Sequence, residues 1–156
     1  MKKLLPLLVF ALIGVIGIFF FFYYFGHKDD KALSEFSIAY QKYDRAISDL
    51  SSAVYMSNFE GSPTYDDLEQ ITDQALAELK LKASARISSL TKNDAEIMSV
   101  TQEIADLSGK EFVALKAYQS AMADQGADMA QLSKELHDVT VKRQAAYTRF
   151  QELSGY

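Results

Sequence analysis

A chain of 156 residues with 21 acidic and 16 basic side chains has a net charge of −5, which argues against nucleic-acid partners. It contains no cysteine, so disulfides, thiolate metal sites and a cysteine nucleophile are excluded. Two prolines and no tryptophan fit a helical chain better than a sheet.

The first predicted element is residues 4–25, LLPLLVFALIGVIGIFFFFYYF, a run without a single charge. As a helix it would be about 33 Å long, enough to cross a hydrocarbon core of about 30 Å. A cleaved signal peptide has a shorter apolar region followed by small residues. Here the run closes on bulky aromatics, Phe19 to Phe25, and Gly14 and Gly17 fall inside it. The run therefore reads as an uncleaved signal anchor. Lys2 and Lys3 precede it, while His27, Lys28, Asp29 and Asp30 follow, so the positive-inside bias puts the N-terminus in the cytoplasm. Tyr23 and Tyr24 fall at the outer interfacial belt. Residues 1–27 are thus expected to be a cytoplasmic stub and transmembrane anchor, and residues 28–156 an extracytoplasmic helical bundle. The expected location is a bacterial-type inner (plasma) membrane, single-pass, with the C-terminal domain periplasmic or extracellular. The exported part holds fourteen basic and all 21 acidic residues, which does not suit lying flat on anionic lipid.

Helix one is predicted from Asp30. Leu33, Phe36, Tyr40, Tyr43, Ile47, Leu50 and Val54 recur at alternating spacings of three and four, a coiled-coil type of seam. Ala39, Ala46 and Ala53 widen it. Asn58 to Thr64 is a Gly-Pro turn, and Thr64-x-x-Asp67 a capping box. Helix two is predicted from about Tyr65 to Leu90, with a stripe of Leu68, Ile71, Ala75, Leu79, Ala83, Ile87 and Leu90, Leu76 beside it and a Glu78–Lys82 pair one turn apart. Asn93 is expected to cap helix three, whose stripe is Ile97, Val100, Ile104 and Leu107. Ser108-Gly109-Lys110-Glu111 interrupts that stripe, which resumes with Phe112, Leu115, Tyr118 and Met122. Ser108-x-x-Glu111 could itself be a capping box, but one glycine without a proline favours one helix with a stutter. Gln125-Gly126 reads as a stop and Asp128-x-x-Gln131 as a restart. Helix four carries Met129, Leu132, Leu136, Val139, Arg143, Ala146, Phe150 and Leu153, with Arg143 the only charge in the series.

The fold class that follows is all-α: an N-terminal transmembrane helix, then an up-down-up-down antiparallel four-helix bundle with coiled-coil-like seams. The 58–64 and 125–128 turns would lie at the tip far from the membrane. No family motif is matched. The layout alone resembles LemA-like proteins, the ligand-sensing halves of chemoreceptors and phage inner-membrane spanins.

Chemistry is hard to place on these residues. A di-iron bundle needs inward Glu-x-x-His pairs, but His137 follows Lys134 at that spacing and His27 is juxtamembrane. Asp66-Asp67 and Glu103 with Asp106 read as a helix N-terminal turn and a solvated face. No catalytic residue, cofactor or metal is expected, and the chain does not read as an enzyme. Three features remain as candidate surface or site. Phe59 and Tyr65 flank the tip turn, where they cap the core or touch a partner. Tyr40 and Tyr43 sit in the seam of helix one as candidates for a polar core site. Arg143 joins them; it can snorkel to the edge, pair with an acid of a neighbouring helix or receive an anion. The reading is an envelope protein whose exported bundle binds other proteins as scaffold, adaptor or assembly factor, through a protein partner or as a homo-oligomer. The alternative is a small-ligand sensor or carrier bundle, which would want polar residues lining a pocket inside the stripe.

A reporter fused after Tyr156 is expected to be active only outside the cytoplasm. Cytoplasmic activity, or a mature N-terminus beyond residue 14, overturns the anchor assignment.

Overall fold

The computed structural model describes residues 31–56, 63–85, 92–123 and 128–155. The apolar run 4–25, the turn residue Phe59, Ile87, Leu90 and the Gln125-Gly126 stop lie outside the described residues. Among the described residues there are four helices and no strand: α1 (31–55), α2 (Tyr65–Ala83), α3 (Lys92–Ala123) and α4 (Met129–Ser154). No helix among these residues is long and apolar enough to cross a membrane.

Helix α1 follows its periodicity closely. All seven seam residues from Leu33 to Val54 are buried, together with Ala39, Ala46 and Ala53. Helix α2 starts as its capping box dictates. The Thr64 N–H donates to Asp67 Oδ2 at 2.9 Å and the Asp67 N–H donates to Thr64 Oγ1 at 3.3 Å. The Thr64 hydroxyl and N–H bonds hold the Asp67 carboxyl below its usual range. Helix α4 starts on Asp128, whose Oδ1 accepts from the Gln131 N–H at 3.1 Å, and ends on Gly155, at φ 74°. That left-handed cap lets the Gly155 N–H reach Gln151 O at 2.9 Å.

Cross-helix contacts give the directions. Lys82 pairs with Glu35 and Lys42 with Glu78, so α1 and α2 run antiparallel. Tyr43 reaches Ser108, and the Tyr55 ring meets the Tyr118 ring at 5.4 Å, so α1 and α3 run parallel. Phe36 packs on Phe150 and Tyr40 on Tyr147, which sets α4 antiparallel to α1. Arg149 pairs with Glu96, and the Asn93 amide donates to Leu153 O at 3.4 Å, so α3 and α4 are antiparallel too. One end therefore gathers the start of α1, the end of α2, the start of α3 and the end of α4. The other gathers residues 55, 65 and 123 and the start of α4.

Several expectations are corrected. Helix α2 ends at Ala83 rather than Leu90. Its last turn closes on serine: the Ser84 N–H donates to Lys80 O at 3.1 Å and the Ser84 hydroxyl to Leu81 O at 2.8 Å. Short hydroxyl side chains compete with the helical ladder in this way. Ile71 is 47% exposed, while Thr72 is fully buried in its place. The Thr72 hydroxyl donates to Leu68 O at 2.7 Å and lies 3.2 Å from Ala46 O, a close approach that the small Ala46 permits. The face of α2 turned inward is therefore Leu68, Thr72, Leu76, Leu79 and Ala83. Glu78 still attracts Lys82, but the close ion pairs of both run across to α1, to Lys42 and Glu35.

Asn93 does not cap α3, which begins at Lys92; its amide instead serves a terminal carbonyl of α4. Nor is there a stutter or a capping box at Gly109. Ile97, Thr101, Ile104, Ser108, Glu111 and Leu115 are all buried at strict four-three spacing, so the seam runs on through polar residues. The Ser108 hydroxyl donates back to Ile104 O at 2.8 Å within a continuous helix. Met122 is exposed, with Ala121 buried instead.

Phe150, fully buried against Phe36, and Ile71 test this assignment. Phe150→Ala is expected to cost about 3–5 kcal/mol, as cavity-forming core truncations do. Ile71→Ala is expected to stay within about 1 kcal/mol, near the range of surface substitutions. Chemical denaturation of the full chain in neutral detergent, followed by circular dichroism, measures both.

Candidate functional site

The polar residues of the three seams meet in one place. Arg143 of α4 is 2% exposed and points into the core between α1 and α3. Its Nη2 lies 2.8 Å from Asp44 Oδ1 and its Nε 2.6 Å from Glu111 Oε2. The Nε contact is an ion pair without the alignment of a hydrogen bond. Nη1 donates to the Tyr40 hydroxyl at 2.6 Å. The guanidinium carbon also lies 5.2 Å and 5.5 Å from the centroids of the Tyr40 and Tyr43 rings, within cation–π range.

Glu111 is as buried as Arg143 and is held from three sides. Thr140 Oγ1 lies 2.7 Å from its Oε1, and the Tyr43 hydroxyl 3.2 Å from its Oε2. Tyr43 also donates to Ser108 O at 2.7 Å, which anchors α1 to the middle of α3. Burial raises the pKa of both tyrosines. For Tyr43 the Glu111 carboxylate adds to the effect, and for Tyr40 Asp44 and Glu111 add to it against the pull of Arg143. Both stay neutral phenols that serve as hydrogen-bonding groups. For Arg143, burial by itself would lower the pKa, but Glu111, Tyr40 and Asp44 together hold it above the ordinary arginine value.

The sequence candidates thus divide. Arg143, Tyr40 and Tyr43 are brought together, and of the three roles open to Arg143 the structure gives it acids on neighbouring helices. Phe59 lies outside the described residues. Tyr65 is half-buried against the core, and its hydroxyl is buried without a hydrogen-bond partner among the described residues. Its pKa is raised, by burial first and then by Glu69. His137 is exposed on α4, and Asp66, Asp67, Glu103 and Asp106 are exposed as well. Among the described residues no group of three or more His, Asp or Glu side chains is placed to hold a metal ion.

Glu111 was missed as a site residue. The signal was present: it stands three residues after Ser108 and four before Leu115, in step with the seam. Polar identity at both positions made the pattern look interrupted.

Beside this cluster a cleft of about 700 Å³ opens between α1 and α4. Ser48, Ser51 and Ser52 line it from α1, and Ser133, His137 and Thr140 from α4. Asp44, Arg143 and Glu111 close the end nearer residue 31. Tyr55 and Met56 stand at the other end.

Comparison with protein-family models, curated proteins and solved structures finds no match to the chain. Fold and site define it at the level of class, an all-α arrangement of four helices among the described residues with a buried Arg–carboxylate cluster.

Arg143→Met is expected to cost about 3–5 kcal/mol, because it strands the buried Glu111 carboxylate, and Glu111→Leu less, because Arg143 keeps Asp44. The double variant Arg143→Met/Glu111→Leu is expected to cost clearly less than the sum. A double-mutant cycle by denaturant titration checks this; additive costs would show that the two side chains are not coupled.

Proposed function

We propose that the chain is a tethered interaction module of a cell envelope. Residues 4–25 hold it in the membrane with the N-terminus in the cytoplasm, and residues 28–156 form an up-down-up-down antiparallel four-helix bundle outside. The uncharged run followed by a polar, helix-patterned chain supports the tether. The alternating helix directions support the bundle. The work of the bundle is to bind another protein, as scaffold, adaptor or assembly factor, without a catalytic step.

The observation that carries the protein-binding reading is the end of the fold farthest from residue 31. Tyr55, Met56 and Met122 are exposed there, 54%, 60% and 45% respectively, with the Tyr55 ring against Tyr118. Flexible methionines beside aromatic rings suit adaptable protein contacts. Phe59, outside the described residues, is proposed with Tyr65 as a further partner contact.

A second reading, a small-ligand sensor or carrier, is favoured by the cleft. Its lining mixes serine, threonine and histidine with Ile47, Leu115 and Leu136, the mixed polar and apolar wall a ligand site in a bundle requires.

Replacing residues 1–26 by an unrelated N-in anchor is expected to preserve a stoichiometric protein that co-purifies from membranes. Tyr55→Ser with Met122→Ser is expected to lose that protein at unchanged helicity. Loss of the partner from a correctly inserted, folded anchor chimera would instead make the span itself the contact and overturn the bundle-centred reading.

A further inference from the structure

The cleft between α1 and α4 exists because short side chains face each other there. On the residue-31 side of Arg143 the two helices are closed by large rings, Phe36 on Phe150 at 4.9 Å and Tyr40 stacked on Tyr147 at 3.6 Å. On the other side, Ser48 and Ser51 of α1 and Thr140 and Ser133 of α4 line the space, with Ser48 near the level of Thr140 and Ser133 near that of Tyr55. None of them fills the volume that Phe or Leu would occupy, so the helices are left with about 700 Å³ between them, within the range of small-molecule sites.

The chemistry of that space is defined at its closed end. One guanidinium, Arg143, faces two carboxylates, Asp44 and Glu111. One negative charge is therefore left over. Glu111 is buried, bonded to Thr140 and Tyr43, and turned toward Arg143. Asp44 is half exposed at the cleft and touches Arg143 through Oδ1. The surplus charge is thus presented to the cleft at Asp44, beside low-dielectric walls that focus its field. Serine hydroxyls along the walls both donate and accept. The Tyr55 ring at the opposite end offers a π face.

We propose that this cleft binds a small organic cation, with its ammonium against Asp44 and its polar groups along Ser48 and Ser51. The inference rests on the second reading above, the small-ligand bundle, and specifies the charge class of the ligand. An anion is disfavoured because two carboxylates, Asp44 and Glu111, already face Arg143. A purely apolar ligand would leave the hydroxyl rows and Asp44 desolvated without partners.

The test is calorimetric titration of the full chain in neutral detergent, at constant ionic strength, with ethanolamine, choline, glycerol and acetate. Saturable one-to-one binding of ethanolamine or choline is expected. Asp44→Asn, which leaves Arg143 paired with Glu111, is expected to weaken it at least tenfold. Ser48→Leu, which fills the cleft beside Asp44, is expected to abolish it, with circular dichroism unchanged in both variants. Cation binding that survives both substitutions overturns the site. Glycerol or acetate binding that Ser48→Leu blocks, without cation binding, overturns the cation assignment and leaves the small-ligand reading standing. No saturable binding of any probe overturns both.

Discussion

The buried guanidinium of Arg143 is the constraint around which the packing is arranged. A charge taken out of water in a helix seam is tolerated only where acids and hydrogen-bonding groups neutralise it. Here α1 supplies Asp44 and Tyr40, and α3 supplies Glu111. Glu111 is in turn held by Tyr43 and Thr140. Three helices are thereby tied at one level of the core. Sliding α4 by one turn against α1 and α3 would take Arg143 away from Asp44 and Glu111. A single polar residue in an apolar seam specifies register in coiled coils by the same logic, and often at some expense in stability.

That level also divides the α1–α4 contact into two unlike halves. Toward residue 31, aromatic rings and the Ser37–Tyr147 hydrogen bond of 2.9 Å close the helices tightly. Beyond Arg143, Ile47 and Leu136 are buried in the core, but serine, threonine and histidine line the outer part of the contact and a cleft remains. The closed half provides rigidity, and the open half places polar groups where a ligand can reach them. The apolar end at Tyr55, Met56 and Met122 lies past the cleft. A bound molecule in the cleft and a protein on that end would therefore share the last turns of α1.

Helix α2 contributes differently. Its inward face has only one polar member, Thr72, whose hydroxyl is occupied by carbonyls of its own helix and of α1. Its orientation about its own axis is supported from outside by Lys42–Glu78 and Lys82–Glu35. Such partly exposed pairs contribute little each. What they do is separate one rotational setting of α2 from the neighbouring one, which would have buried Ile71.

The seam of α1, the capping box at Thr64, the restart at Asp128 and the face of α4 were all legible from spacing and cap chemistry alone. Each depends on local rules, a period near 3.5 or a side chain reaching three residues along the chain. The settings that failed depend on neighbours. Whether Ile71 or Thr72 faces inward turns on how closely α1 can approach at Ala46. Whether Asn93 caps its own helix turns on a carbonyl near the end of α4. Most of all, Ser108 and Glu111 looked like a break because sequence alone marks polar residues as exposed. Only the tertiary structure shows that Arg143, Tyr43 and Thr140 arrive from other helices to satisfy them, since a buried charge is permitted by its partners and not by its own position in the chain.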